Sequence, residues 1–138
     1  MKALTIIQPW ASLIAWGEKE YETRSWHTHY RGLLAIHASK KPCMDPEACI
    51  LNSFYRQALH RRGVTVDMLP LGKVLCIVEL VDVFKTEDLT FLSQKEEHFG
   101  DFSSGRYAWK MIVREAFKEP IHAVGHQGLW EWDKERAK

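Results

Sequence analysis

The sequence has few of the features that mark secreted, membrane-embedded or strongly basic proteins. Its 138 residues contain three cysteines, Cys43, Cys49 and Cys76, an odd number without C-x-x-C spacing. This pattern predicts reduced thiols in a cytoplasmic protein rather than a disulfide framework. No apolar segment approaches the length of a membrane span, and the short apolar stretch at the N-terminus is interrupted at Gln8-Pro9. We therefore expect neither a membrane helix nor a secretory signal peptide.

A strong excess of positive charge is also missing. The 19 lysines and arginines are nearly balanced by 18 acidic residues, which leaves a formal net charge of +1. A domain that bound duplex DNA mainly through its overall positive charge would usually be more basic. Any nucleic-acid contact is therefore expected from a local patch. The segment 19–41 supplies one, with Lys19, Arg24, Arg31, Lys40 and Lys41 and the histidines His27, His29 and His37.

Motifs for nucleotide cofactors and metals are absent as well. The chain has neither a G-x-G-x-x-G segment nor a Walker loop. His27 and His29 are spaced to share one face of a strand, but no Asp, Glu or Cys nearby completes a convincing ligand set. The segment Ser103–Arg106 is expected to form only a turn. The sequence thus predicts no cofactor and no metal.

What is present is the pattern of a small β-rich protein. Hydrophobic residues make up 46% and charged residues 27% of the chain, ordinary values for a globular protein that can bury a core. We expect a single domain over residues 1–138. Alternating and β-branched runs predict six strands, at residues 2–7, 20–26, 32–38, 73–84, 106–117 and 128–132. Because no β-α-β alternation is visible, the expected class is α+β, a mainly antiparallel small barrel with flanking helices.

Three segments between these strands are candidate helices. One follows Pro9, a residue suited to a first helical turn. A longer helix is predicted over residues 45–62, with Gly63 as its stop signal. Residues 86–99 are expected to be helical or irregular.

The most informative stretch is Gly17–Arg24, which places two basic and three acidic residues within eight positions. Gly17 sits where a helix C-cap glycine belongs. The charged run therefore starts where a helix stops and a strand begins. Along that strand Glu22 and Arg24 face the same side, while Lys19 at the turn can lean either way.

This cluster has two interpretations. Glu22 and Arg24 could form an exposed ion pair worth about 0–1 kcal/mol. Alternatively, Lys19, Glu22 and Arg24 rim a cleft. In that cleft Arg24 or Lys19 would meet a phosphate or a carbonyl, and Glu22 would accept hydrogen bonds from a base edge or act as a general base.

Glu79 is an acidic residue inside an apolar strand. Alternation groups it with four apolar residues within 75–83, so this face of the strand looks buried. An ionised Glu79 on such a face needs a partner, and Lys19 and Arg24 are the natural candidates. Glu79 is therefore predicted to lie in the cleft or at its floor.

Aromatic residues flank the charged cluster. Trp10, Trp26 and Tyr30 are candidates for stacking on exposed bases. Trp109 and Trp130 are expected in the core instead. Arg31, next to Tyr30, adds a further basic side chain to the predicted ligand-binding set.

Four segments together resemble one known family. The pattern G-x-K-x-x-E-x-R, filled by Gly17, Lys19, Glu22 and Arg24, resembles the hallmark of the ASCH domain (activating signal cointegrator homology) of the PUA-like superfamily. The other three segments are the strand and Q-P-W turn at 2–11, the Y-R-G strand at 30–38 and the G-x-V to L-V-D strand at 72–82. The resemblance runs from residue 2 to about 85. It implies a PUA-like β-barrel whose expected partner is RNA or single-stranded nucleic acid, or a modified nucleoside.

Some small ASCH proteins resemble amidohydrolases of N4-acetylcytidine that use a Lys, a Thr and a Glu. By position the Lys falls on Lys19 and the Glu on Glu79. The Thr position, three residues after the Lys, holds Glu22 here, and the adjacent Thr23 is expected on the opposite face of the strand. A carboxylate is a nucleophile in some chemistries but is not that hydroxyl, so this departure from the family pattern favours a ligand-binding cleft, or a different hydrolysis, over the amidohydrolase.

Three functions therefore remain open from the sequence. The first is a nucleic-acid or nucleotide-binding module, with ligand-binding residues Lys19, Glu22, Arg24, Trp10, Trp26, Tyr30 and Arg31. The second is a small hydrolase of a modified nucleoside or of RNA phosphodiesters, with Lys19, Glu22 and Glu79 in acid–base roles. The third is an interaction adaptor that uses its exposed aromatic residues. The oligomeric state is not indicated by the sequence.

Overall fold

The computed structural model describes residues 1–42, 47 and 51–134. Its strands are β1 (Lys2–Ile6), β2 (Tyr21–Arg24), β3 (Gly32–Ala38), β4 (Lys73–Lys85), β5 (Tyr107–His122) and β6 (Leu129–Glu131). Its helices are α1 (Trp10–Ala15), α2 (Ser53–Arg62) and α3 (Gln94–His98), with 3-10 turns at Val66–Met68 and Thr86–Asp88. All six predicted strands are confirmed, although β5 continues to His122 rather than ending at 117.

The six strands of the described ranges form one sheet in the order β2-β5-β4-β3-β1-β6. β1 and β3 are parallel, and every other neighbouring pair is antiparallel. β4 and β5 change register at three places along their length. Such irregularities bend and twist a strand, and the sheet curls into a half-barrel. The expected α+β, mainly antiparallel barrel-like fold is confirmed.

The main core lies between this sheet and α1. Cys76, Val78 and Leu80 of β4 pack there with Trp109 of β5 and Ile14 of α1. Trp109 is fully buried, as predicted, and burial of a large apolar side chain contributes about 1.5–3 kcal/mol.

Cys76 is free and fully buried. Burial raises the pKa of its thiol to about 12, which makes it an inert core residue rather than a nucleophile. Cys43 and Cys49 lie outside the described residues.

The first helix is bounded by Gln8 and Gly17. The buried side chain of Gln8 accepts a hydrogen bond from Ser12 N at 3.0 Å and donates one to Pro70 O at 2.9 Å. This satisfies a backbone donor that the helix itself leaves without a partner. Gly17 has φ 75°, a conformation that favours glycine, and it reverses the chain so that β2 can begin four residues later.

The other helices show conventional ends. Gly63 ends α2 with φ 66°, as predicted. Asn52 is extended and its side chain accepts hydrogen bonds from the first turn of α2, so this helix begins at Ser53 and the single helix predicted over residues 45–62 is interrupted at Asn52. The predicted start of the helix at Asp45-Pro46 lies outside the described residues. None of the described helices is long and apolar enough to cross a membrane.

Glu18 ties all three helices together at one point. Its carboxylate lies 2.8 Å from the guanidinium of Arg61 in α2 and 2.7 Å from the ammonium of Lys95 in α3. The Glu18 side chain is only 12% exposed, so solvent screens these pairs less than pairs at an open surface. The segment that follows α3 is thereby held near the end of α1.

Candidate nucleic-acid interface

A cavity of about 700 Å³ opens at the seam of the half-barrel. β1 and β2 are separated by three strands in the sheet, but the curl brings the end of β1 close to β2. The cavity lies between them, and its lining residues are Thr5, Ile6, Ile7, Trp10, Glu22, Thr23, Arg24, Ser39, His98, Phe99, Gly100, Asp101 and Arg106. Its volume falls within the range of about 300–1,000 Å³ that is usual for small-molecule sites.

Arg24 and Glu22 form one wall of this cavity. The Nε group of Arg24 donates to Oε2 of Glu22 at 3.0 Å, and its Nη2 group donates to the carbonyl oxygen of Thr5 at 2.8 Å. Glu22 is only 7% exposed. The pair is therefore not the exposed ion pair considered as one interpretation, but a fixed, largely desolvated arrangement in which the arginine fork is held on two sides.

Lys19 lies behind this wall rather than in the cavity. Its side chain is 1% exposed, and its ammonium donates to the carbonyl oxygens of Tyr21 and, at 2.7 Å, Phe99. Oε1 of Glu22 lies 3.9 Å away. The lysine thus joins β2 to the segment after α3 and places a positive charge beneath the Glu22 carboxylate.

Two buried charges give this region unusual proton affinities. Burial lowers the pKa of Lys19, although the carboxylates of Glu22 and Glu96 oppose this shift. Burial likewise raises the pKa of Glu96. Oε1 of Glu96 accepts a hydrogen bond from Glu20 N, whereas its buried Oε2 has no partner among the described residues.

Trp10 provides aromatic surface to the cavity. Its ring lies edge-on to Tyr55 at 5.0 Å and to Phe99 at 6.5 Å between centroids. The Lys19 ammonium lies 5.3 Å from the Trp10 ring centroid, within the range of a cation–π contact. Packing on several sides therefore fixes the orientation of this indole.

Thr5 has two separate roles at the seam. Its backbone carbonyl holds Arg24, while its hydroxyl accepts from Trp130 Nε1 at 3.0 Å and lies 3.1 Å from Nδ1 of His37. Nε2 of His37 lies 2.8 Å from the carbonyl oxygen of Ala123. Since a carbonyl only accepts, Nε2 carries the proton, and in neutral His37 the Thr5 hydroxyl donates to Nδ1.

This hydroxyl is not a candidate nucleophile, even though it contacts a histidine. A Cβ atom added at Gly125 would lie 2.7 Å from both Thr5 Oγ1 and His37 Cε1, so the backbone at Gly125 covers the pair. Burial lowers the pKa of His37. The Thr5–His37 contact is therefore a partly buried structural link between β1, β3 and the segment before β6.

The part of the lining next to Thr23 contains residues that the sequence did not single out. Nε of Arg106 donates to the Asp101 carbonyl at 3.1 Å, and its Nη2 donates to the carbonyl oxygen of Thr23 at 3.4 Å. The Thr23 hydroxyl accepts from Asp101 N at 3.2 Å. The segment Ser103–Arg106, predicted to be only a turn, thus supplies a second guanidinium to the cavity.

The position of Arg106 just before β5 is the sequence feature that could have identified it as a lining residue. Tyr107 pairs with Arg24 in the β2–β5 register, so a correct prediction of this strand pairing would have placed the two arginines near one another.

Glu79 does not lie in the cavity, and its predicted location is wrong. Its carboxylate pairs with Arg114, with Oε1 2.7 Å from Nη2 and 3.0 Å from Nε. Its register neighbours Leu33 and Ile112 are exposed. Cys76, Val78 and Leu80 alternate onto the core side of β4 with no register shift between Val78 and Leu80, so Glu79 between them faces outward.

Three further predicted ligand-binding residues also lie away from the cavity lining. Trp26 packs edge-on against Trp109 with centroids 4.7 Å apart. The Tyr30 hydroxyl donates to the carbonyl oxygen of Leu33. Arg31 lies 3.5 Å from the carboxylate of Asp82. Trp10, Glu22 and Arg24 are thus the predicted residues that line the cavity, with Lys19 beneath them.

The histidine pair gives no indication of a metal centre. The rings of His27 and His29 lie 4.8 Å apart. Within the described residues, no group of three or more histidine, cysteine or acidic side chains is arranged to hold an ion.

The fold and this cavity define a β-barrel-like protein with a ligand-sized site at its seam, and sequence comparison gives its family. The ASCH domain model matches residues 4–122. The chain belongs to the ASCH domain family, and the match extends well beyond residue 85, where the recognised resemblance ended.

Two relatives are similar to this chain. It is 39% identical over 105 residues to human activating signal cointegrator 1, a match that covers 72% of this chain and 16% of that protein. It is 39% identical over 140 residues to the mouse protein of the same name, covering 94% of this chain and 22% of that protein. The chain thus spans about a fifth of the length of these relatives.

Proposed function

We propose that this chain binds RNA and holds one unpaired nucleotide in the cavity at the seam. The observation that carries the proposal is the Arg24 guanidinium, fixed between Glu22 and Thr5 at the wall of a cavity of about 700 Å³. Membership of the ASCH domain family supports a nucleic-acid ligand over other molecules of that size.

The cavity offers complementary groups for each part of a nucleotide. The Nη1 group of Arg24 has no partner among the described residues, and it is available to a phosphate or a base carbonyl. Oε1 of Glu22 accepts no hydrogen bond from the described residues, so it can accept one from a base N–H. Trp10 adds an aromatic surface, and base–aromatic stacking is worth about 1–3 kcal/mol.

The same geometry favours binding over hydrolysis. The residues proposed for catalysis were Lys19, Glu22 and Glu79, and they do not converge. The Lys19 ammonium donates to backbone carbonyls behind the wall, and Glu79 pairs with Arg114 on the outer face. Glu22 alone of the three lines the cavity. We also propose a cytoplasmic location, which the free thiol of Cys76 supports.

Fluorescence anisotropy with a labelled single-stranded RNA tests the proposal. Arg24→Ala should weaken binding by about tenfold to a hundredfold, because a hydrogen bond to a charged group contributes about 1.5–3 kcal/mol. Arg114→Ala is the matched control, since it removes an arginine from the outer face. Retention of full affinity by Arg24→Ala would contradict the proposal.

Two further measurements separate the alternatives. Thermal unfolding of Arg24→Ala shows whether a loss of binding reflects a loss of folded protein, and Arg24→Lys keeps the charge while removing the fork. Incubation with N4-acetylcytidine or short RNA tests turnover. Product formation by the parent protein that is lost in Lys19→Ala would favour the hydrolase instead.

A further inference from the structure

A row of basic side chains begins at the rim of the cavity. Lys40 and Lys41 follow Ser39, a lining residue, and both are exposed. Exposed Lys73 lies beside Ala38 in the β3–β4 register. The three lysines therefore occupy the same end of the sheet as the cavity rim.

Local packing brings Lys40 close to the start of β4. A Cβ atom added at Gly72 would lie 3.5 Å from the Cβ of Lys40, and Gly72 N donates to the carbonyl oxygen of Ala38 at 2.9 Å. On its other side, Lys73 is paired with exposed His122 in the β4–β5 register. Neighbouring strands lie about 4.8 Å apart, so the row from Ala38 to His122 is roughly 10 Å wide.

These three lysines lie close together, and their charges are not paired, unlike those of Lys2 and Lys95. Lys2 and Lys95 each contact a carboxylate within 4 Å. Lys40, Lys41 and Lys73 have no ion-pair partner among residues 1–42, 47 and 51–134. A cluster of like charges of this kind repels itself, and a polyanion laid across it relieves that repulsion.

We propose that this lysine row binds the sugar–phosphate backbone of the RNA strand whose nucleotide occupies the cavity. The inference rests on the proposed function and narrows it to a single-stranded oligonucleotide rather than a free nucleotide. The row adjoins the cavity at Ser39, so the chain that leaves the cavity there meets Lys40 and Lys41 first and Lys73 next. The near-zero net charge of the whole chain agrees with a short local track rather than a duplex-binding surface.

A length series tests the inference. The parent protein and the Lys40→Gln/Lys41→Gln/Lys73→Gln variant are titrated with a nucleoside monophosphate and with single-stranded RNAs of two, four and eight nucleotides. Affinity of the parent should rise with length. The variant should bind the eight-nucleotide RNA at least tenfold more weakly at low salt, while binding the monophosphate within twofold of the parent.

Salt dependence gives a second, quantitative measurement. Each phosphate contact on a single strand contributes about 0.7 to the slope of log affinity against log salt concentration. The slope for the eight-nucleotide RNA should therefore become shallower by about 2 in the variant. Lys85→Gln is the matched control, because Lys85 is an exposed lysine at the other end of the same strand, and it should leave the slope unchanged.

The outcomes distinguish this inference from the proposed function. If the parent binds the monophosphate but gains nothing with RNA length, or if the triple variant keeps the parental slope, the lysine row is not a backbone track and the cavity proposal stands. If the parent binds neither monophosphate nor RNA, both proposals fail.

Discussion

Nη2 of Arg24 lies 2.8 Å from the carbonyl oxygen of Thr5, although the strands that carry the two residues are separated by three others in the sheet. The hydrogen bond therefore spans the open side of the half-barrel. It joins β2, which holds the charged motif, to the end of β1. The residue proposed to contact the ligand is also one that helps to close the fold.

Lys19→Met should strongly destabilise the protein. The substitution keeps much of the side-chain volume but leaves the carbonyl oxygens of Tyr21 and Phe99 without their donor, while Glu22 keeps its pair with Arg24. Each buried acceptor left without a partner costs about 1–3 kcal/mol, which urea unfolding would detect. Exposed Lys85→Met should change stability by less than about 0.5 kcal/mol. Equal stability of the two variants would show that the hydrogen bonds of Lys19 do not stabilise the contact between β2 and the segment after α3.

His37 should make stability depend on pH below neutrality. Its pKa is lowered by burial, so the unfolded chain binds the proton more readily than the folded one. The stability associated with neutral His37 is fully present above its ordinary pKa of 6.5 and declines as the pH falls toward the folded value, by up to about 1.4 kcal/mol per pH unit.

The comparison with His37→Gln isolates this effect. Glutamine can still donate to the carbonyl of Ala123 but does not titrate near neutral pH. The difference in unfolding free energy between the parent and His37→Gln should therefore shrink as the pH is lowered from 7 to 5. A difference that stays constant with pH would exclude protonation of His37 as its cause.

Thr5→Val should lower the stability of the protein, although valine has nearly the same shape as threonine. It removes the hydroxyl between Trp130 Nε1 and His37 Nδ1 while keeping a β-branched side chain. Each buried polar group left without a partner costs about 1–3 kcal/mol, and thermal unfolding would show the loss. Thr5→Ser keeps the hydroxyl and serves as the control, which should retain most of the stability.

Arg106→Gln should weaken RNA binding less than changes at Arg24. Its guanidinium lines the cavity beside Thr23 and is partly exposed, and at such a position a charge contact is worth up to about 1 kcal/mol. Anisotropy titration should show roughly a fivefold loss at low salt that disappears as salt is added. A larger loss of RNA affinity than that caused by Arg24→Ala would show that Arg106, rather than Arg24, is the main contact for the ligand.

The strands were predictable because their signal is local. Alternation and β-branched composition are visible within each segment, and β1 to β6 were placed from them to within a few residues. Glu79 was misplaced because β4 has apolar residues on both faces, so alternation alone did not show which face packs on the core. The structure places Val78 and Leu80 on the core side, while Glu79 lies beside exposed Leu33 and Ile112. Which face is covered depends on segments that are distant in the sequence.

The site was predictable only where its residues are close together in the chain. Glu22 and Arg24 lie two positions apart on one strand, so their shared face followed from the period of a strand. Arg106 and Phe99 reach the cavity through the β2–β5 pairing and the contacts of Lys19, which join segments about 80 positions apart. The burial of Lys19 was not apparent from its place in a charged turn.

Because Lys19 is enclosed, its chemical modification can report how often the Phe99 segment separates from β2. An amine-acylating reagent needs an accessible, unprotonated amine, and it should modify exposed Lys40, Lys41 and Lys73 readily. Lys19 is 2% exposed, so the reagent cannot reach its amine while the wall of the cavity is closed. Its acylation should therefore wait until the Phe99 segment separates from β2. The rate at which mass spectrometry detects acylated Lys19 would thus measure how often the wall of the cavity detaches, and bound RNA should slow it.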